Sequence, residues 1–175
     1  MTSSPDASPV WFLPMDQAGA KPYQIPAVAN MPVFSPDNQW MAYTKKVPPR
    51  QSAARQYSSD FERKIDERFK GRIYDWMDYR FDQRGYLPDP RDPAATPPEE
   101  LFIIPRAGGN PAQITHLGVN VHSPAWSPDS RALVFVANSH QRDEYSYERA
   151  DLWIATIAGN TKRLTDDGYN HSSPC

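Results

Sequence analysis

Apolar and polar residues alternate in short bursts, and the bursts recur. Val33-Phe34, Trp40-Met41-Ala42-Tyr43, Leu101-Phe102-Ile103-Ile104, Leu133-Val134-Phe135-Val136 and Leu152-Trp153-Ile154-Ala155 are each bounded by Pro, Gly, Asp, Asn or Ser. Runs of that length, rich in β-branched and aromatic residues and closed by turn formers, predict β-strands. The turn segments repeat as well. Pro32-Val33-Phe34-Ser35-Pro36-Asp37-Asn38 returns as Pro124-Ala125-Trp126-Ser127-Pro128-Asp129-Ser130. In both copies proline presets φ, and Asp with Asn or Ser bonds back to the local backbone to make a tight corner. Glu100-Leu101-Phe102-Ile103-Ile104 likewise returns as Asp151-Leu152-Trp153-Ile154-Ala155. Each is followed by a glycine turn and a short segment ending in Thr115 or Thr165. A weaker third copy opens with Val10-Trp11-Phe12-Leu13-Pro14 and leads through Gly19 to Tyr23-Gln24-Ile25.

These units predict a four-stranded antiparallel sheet, with an inner strand closed by Phe34 or Trp126 and an outer strand ending in threonine. Four short strands in each 40–50 residues is the pattern of a β-propeller blade. The expected fold is therefore all-β: a partial β-propeller over residues 1–175, with two complete blades and partial blades on either side. A ring needs at least four blades, so the chain is expected to be a fragment of a longer protein, and Met1 need not be the true start. The interval from Phe34 to Trp126 greatly exceeds that from Thr115 to Thr165. The surplus defines an insertion at 45–98, between the second and third strands of the first complete blade. Within it, Phe61, Ile65 and Phe69 recur at helical spacing after Ser59-Asp60 and before Gly71, which predicts a short amphipathic helix. Ile73–Phe81 then predicts a β-hairpin arm or an aromatic loop turning at Arg84-Gly85.

Composition narrows the functional classes. The 175 residues include 19 prolines, about twice ordinary usage, which disfavours a helical bundle. The net charge of −2 gives no basic footprint for nucleic acid. No apolar run reaches the ~20 residues of a membrane span. The single cysteine, Cys175, excludes an internal disulfide and a cysteine-based zinc site. No signal peptide opens the chain, which leaves cytoplasmic and periplasmic locations open. His116, His122, His140 and His171 show no ligand spacing in sequence, so neither a metal nor another cofactor is expected.

The Ser-Pro-Asp corner after an aromatic, the Asp-Leu-Trp-Ile strand and the Arg-Leu-Thr segment resemble the propeller of TolB-like proteins. They equally resemble the amino-terminal propeller of the prolyl oligopeptidase family of serine peptidases, which includes dipeptidyl- and acylaminoacyl-peptidases. The insertion motif Arg72–Arg80, Gly85-Tyr86 and Glu100–Arg106 is similar to bacterial members of that peptidase family. The resemblance implies a cap that gates peptide substrates, placed before an α/β-hydrolase domain whose Gly-x-Ser-x-Gly, Asp and His do the chemistry. No serine here has glycine two residues away on both sides, so no catalytic residue is expected in the chain. The alternatives are a non-catalytic TolB-like propeller that binds a protein partner and, more remotely, a polysaccharide lyase built on a similar propeller.

Candidate substrate-binding residues come from the insertion. Carboxylate pairs hold cationic peptide amino termini through charge-assisted hydrogen bonds. In the dipeptidyl peptidase IV branch, acids follow an Asp-Trp-x-Tyr-like stretch. Here Asp75-Trp76-Met77-Asp78-Tyr79 is followed by Arg80-Phe81, which argues against dipeptide release. Asp66-Glu67 is the remaining pair. Its neighbours Arg63, Lys64, Arg68 and Lys70 equally suit a solvated helix surface with i, i+4 ion pairs.

Overall fold

A computed structural model describes residues 10–15, 19–28, 31–48, 57–68, 80–81, 85–86, 97–138 and 149–174. Contacts divide the chain into two compact units. One comprises Met1–Val47, Pro98–Gln141 and Tyr147–Cys175; the other comprises Pro48–Pro97 with Arg142–Ser146.

The first unit is built from antiparallel strands. A two-stranded ribbon pairs β1 (Trp11–Phe12) with β2 (Tyr23–Gln24). A four-stranded sheet, the first sheet below, contains β3 (Val33–Phe34), β4 (Trp40–Lys46), β7 (Glu99–Pro105) and β8 (Ala112–Gln113) in spatial order β3-β4-β7-β8. The second sheet contains β9 (Val121–Trp126), β10 (Ala132–Asn138), β11 (Ala150–Thr156) and β12 (Thr161–Arg163), with each strand beside the next in sequence. Neither sheet closes on itself. The expected strand order holds in both. One detail differs. Thr115 and Thr165 lie two residues beyond the outer strands, where their side chains serve another purpose described below.

The two corners are built alike. In the first, the Ser35 amide donates to the Trp40 carbonyl (2.9 Å) and the Trp40 amide donates to Ser35 Oγ (2.9 Å). Asp37 Oδ1 accepts from Ser35 Oγ and from the Gln39 amide. In the second, Ser127 and Ala132 exchange the same bonds at 2.9 and 3.0 Å, and Asp129 Oδ1 accepts from Ser127 Oγ and the Arg131 amide. Asn38 and Ser130 close the corners in the left-handed region, at φ 58° and 59°. Small polar residues tolerate that conformation better than bulky ones. Strand β9 carries one irregularity: its register against β10 shifts between Val134 and Val136, opposite Ser123 (φ 51°) and Pro124. Proline has no amide to give the ladder, so a bulge is its natural place.

Alternation along each strand gives every sheet two apolar faces, and the sheets stack through them. Met41, Tyr43 and Ile104 on one face of the first sheet pack with Phe12, Ile25 and Val28 of the ribbon segment. Phe12 stacks on Tyr23 and meets Phe34 edge-on. On the opposite face, Ala42, Leu101, Ile103 and Ile114 pack with Val121, Leu133, Phe135 and Ala155 of the second sheet. Two hydrogen bonds between corners fix that stacking: Trp126 Nε1 donates to the Val33 carbonyl (2.9 Å), and the Asp37 amide donates to Ser130 Oγ (3.1 Å).

In the second unit, α1 (Asp60–Arg68) starts at a capping arrangement. The Glu62 amide donates to Ser59 Oγ, and the Glu62 carboxylate turns back to accept from Ser58. That reciprocal bonding satisfies donors a helix start leaves open. The described helix covers the expected stretch from Phe61 to Arg68, and residues 69–71 lie outside the described residues. Phe61 and Ile65, its apolar stripe, are exposed. Strands β5 (Arg80–Phe81) and β6 (Gly85–Tyr86) pair as an antiparallel hairpin. The aromatic stretch before them lies outside the described residues.

Candidate functional site

The best-built polar arrangement in the described residues is a carboxylate–threonine latch at the start of each third strand. Glu100 and Asp151 are buried. In the first sheet, Thr115 Oγ1 donates to Glu100 Oε2 and accepts the Leu101 amide at 2.8 Å, while Glu100 Oε1 accepts the Gly118 amide at 2.7 Å. In the second, Thr165 Oγ1 donates to Asp151 Oδ1 at 3.1 Å and accepts the Leu152 amide at 3.0 Å. A buried carboxylate is stable only when its oxygens are bonded. The latch does this while pinning the segment that leaves the outer strand.

The second latch departs from the first. Aspartate is one methylene shorter than glutamate. Arg163 sits where the first sheet has Gln113, and its Nη2 lies 2.6 Å from Asp151 Oδ2 and 2.8 Å from Asp166 Oδ1. Further along, Asp167 and His171 occupy the positions of Leu117, which packs half-buried against the core, and Val121, a core residue that opens β9. His171 Nε2 lies 2.9 Å from Asp167 Oδ1. That bond, with the Tyr169 amide behind it, holds the Asp167 carboxyl below the usual carboxylate range.

Ligand atoms of Asp151, Asp167 and His171 thus lie within 4.8 Å of one another. Spacing of histidines alone does not reveal this grouping. The Thr115–Thr165 register of the repeat does, because it aligns two polar residues with two core positions. The donor set includes atoms that metals use. Yet the Arg163 guanidinium already neutralises Asp151, and Thr165 takes its other oxygen. A cation there would have to displace a charge-assisted bond of the strong class. As built, the cluster is an ionic latch.

Of the two sequence-predicted substrate-binding residues, Glu67 lies exposed on α1, with its Oε1 2.8 Å from Arg63 Nη1. Arg63 also reaches Asp60, as does Lys64. Arg63 is the main cause that holds the Asp60 carboxyl low. Asp66 belongs to the same helix, and its side chain lies outside the described residues. The described part of this helix surface is a ladder of i, i+3 and i, i+4 ion pairs.

Asp37 and Asp129 are turn formers. Both carboxyls are held below the ordinary value, chiefly by the hydroxyls of Ser35 and Ser127. No family model and no curated protein matches the chain.

Proposed function

We propose that the chain forms consecutive blades of a β-propeller that caps a prolyl-oligopeptidase-like serine peptidase and gates short peptides. The catalytic serine, aspartate and histidine belong to an α/β-hydrolase domain outside these residues. The observation that carries the propeller half is the repetition itself. Two four-stranded meanders share one corner, one strand order and one latch, and they stack face to face with an indole bond between corners. That is how propeller blades pack. The peptidase half rests on the motif that runs from the insertion into the third strand, Arg72–Arg80, Gly85-Tyr86 and Glu100–Arg106, and its similarity to that family. Asp66 and Glu67 remain the proposed contacts for a cationic peptide amino terminus.

The test is expression of the complete reading frame that contains this chain. Labelling by a fluorophosphonate probe at a serine outside residues 1–175, with turnover of chromogenic peptide amides abolished by the probe, is the expected result. A propeller that binds a protein partner and shows neither labelling nor turnover would establish the non-catalytic alternative. The 175-residue chain on its own is expected to hydrolyse no peptide amide.

A further inference from the structure

We propose that Asp167-Gly168 is a site of spontaneous covalent modification, at which aspartate isomerises to isoaspartate through a cyclic imide, and that the bond from His171 restrains the reaction.

Asp37, Asp129 and Asp167 are held in one kind of turn. Each carboxylate accepts the amide two residues on, from Gln39 at 3.0 Å, Arg131 at 3.1 Å and Tyr169 at 3.1 Å. In each turn the residue after the aspartate lies in the left-handed region: Asn38 at φ 58°, Ser130 at 59° and Gly168 at 80°. The carboxyl is thus folded back over the peptide that follows it.

The turns differ in the side chain beside that peptide. Asn38 and Ser130 place a Cβ next to the amide nitrogen, and Gly168 places none. Among the described residues, chain neighbours aside, the atom nearest to where that Cβ would stand is Arg149 Nη1 at 3.7 Å, so no close neighbour supplies the missing shield. Asp167-Gly168 is also the only Asp-Gly or Asn-Gly pair in the sequence. The turn asks for the glycine: Gly118, its counterpart in the first repeat, is left-handed too (φ 69°), but it follows Leu117, which has no carboxyl to react.

In the ring closure the Gly168 amide nitrogen attacks Cγ of the protonated Asp167 carboxyl. The N–Cγ bond forms, the Cγ–OH bond breaks, and the hydroxyl leaves as water with the amide proton. Solvent water then opens the imide. Attack at Cγ restores aspartate; attack at the main-chain carbonyl of residue 167 leaves Gly168 joined through Cγ, which is isoaspartate. One water leaves and one enters, and nothing is oxidised or reduced. His171 opposes the first step. Its Nε2 lies 2.9 Å from Asp167 Oδ1, and it is the first cause that keeps the carboxyl ionised. A carboxylate has no hydroxyl to lose. The product lengthens the main chain by one carbon between Thr165, which closes the second latch, and His171, whose amide donates to the Ala150 carbonyl at 2.8 Å.

The full chain is incubated for several weeks in heavy-oxygen water at neutral pH and physiological temperature, then cut with trypsin, which releases Leu164–Cys175. Mass spectrometry with electron-transfer fragmentation reads heavy oxygen residue by residue and separates isoaspartate from aspartate. The expected result is uptake with isoaspartate at Asp167, and several-fold less at Asp37 and Asp129. Gly168→Asn, which copies the Asp37-Asn38 pair, should lower the rate to the level of Asp37, and His171→Ala should raise it several-fold. Circular dichroism matching the parent chain checks each fold. Asp167→Glu, whose longer side chain cannot close the same ring and should show no isomerisation, and His171→Gln replace any variant that fails. No uptake at Asp167 in the parent chain would overturn the proposal. So would equal uptake at Asp129, or a rate unchanged or slowed in the His171 variant.

Discussion

The first and second sheets carry nearly the same sequence pattern and the same corner, yet they are buried differently. Leu101, Ile103 and Ile114 are sealed beneath the second sheet. Their counterparts Leu152 and Ile154 are half-buried, and Leu164 is exposed. The pattern of a strand specifies which face is apolar, and the neighbouring sheet decides whether burial follows. The latches teach the same lesson in polar terms. Glu100 is satisfied by one hydroxyl and one backbone amide. Asp151, one methylene shorter and just as deeply buried, engages a guanidinium that reaches out to solvent-exposed Asp166.

The largest expected difference between the sheets lies in paired truncations. Ile114→Ala removes packing from a filled junction and should cost about 2–5 kcal/mol in urea denaturation. Leu164→Ala, at the matched but exposed position, should cost under about 1 kcal/mol. Equal losses would show that the two faces are equally covered.

Next come the latches. Thr115→Val leaves the Leu101 amide and one oxygen of Glu100 without a partner inside the core, with an expected cost of about 2–3 kcal/mol. Thr165→Val should cost about 1 kcal/mol, because Arg163 continues to satisfy Asp151. If the order is reversed, Arg163 is not a working part of the second latch.

The corners should respond alike. Ser35→Ala and Ser127→Ala each remove a bond to an amide and a bond to an aspartate, and each should cost about 1 kcal/mol. Both aspartates have folded pKa values lowered from the ordinary carboxylate value, first by the serine hydroxyl. Their contribution is therefore complete above the unfolded value and fades as pH falls through the folded one. Acid titrations of stability below about pH 4 should be flatter in either serine variant than in the parent chain. A corner variant with an unchanged acid limb would remove the serine–aspartate bond from the account.

The smallest effect is expected at Tyr43. Its hydroxyl is buried with no hydrogen-bond partner among the described residues, and burial pushes its pKa up to about 12. Tyr43→Phe keeps the stacking on Phe102 and should be neutral or slightly stabilising, within about 1 kcal/mol.

Much of this architecture is legible in sequence because it is local. A Ser-Pro-Asp corner needs only its own six residues, and period-two alternation marks the faces of β4, β7, β10 and β11 without reference to any partner. The outer strands are less legible. Their two or three residues carry little pattern, and Thr115 and Thr165, which look like strand ends, belong to the latches. The stacking bonds from Trp126 to Val33 and from Asp37 to Ser130 join positions far apart in the chain, and the pattern of either segment cannot announce them. The polar cluster of Asp151, Arg163, Asp167 and His171 is hidden for a further reason. Each member looks ordinary in its own segment, and only the register between repeats shows that two of them displace core residues.

Native-state hydrogen exchange at the Leu101 and Leu152 amides tests the equivalence of the two sheets most directly. Both amides donate to a latch threonine. Both should be protected, with Leu101 exchanging only on global unfolding and Leu152 somewhat faster because its sheet has one open face. Protection at Leu101 alongside free exchange at Leu152 would contradict the account, since the second sheet would then not be a repeat of the first.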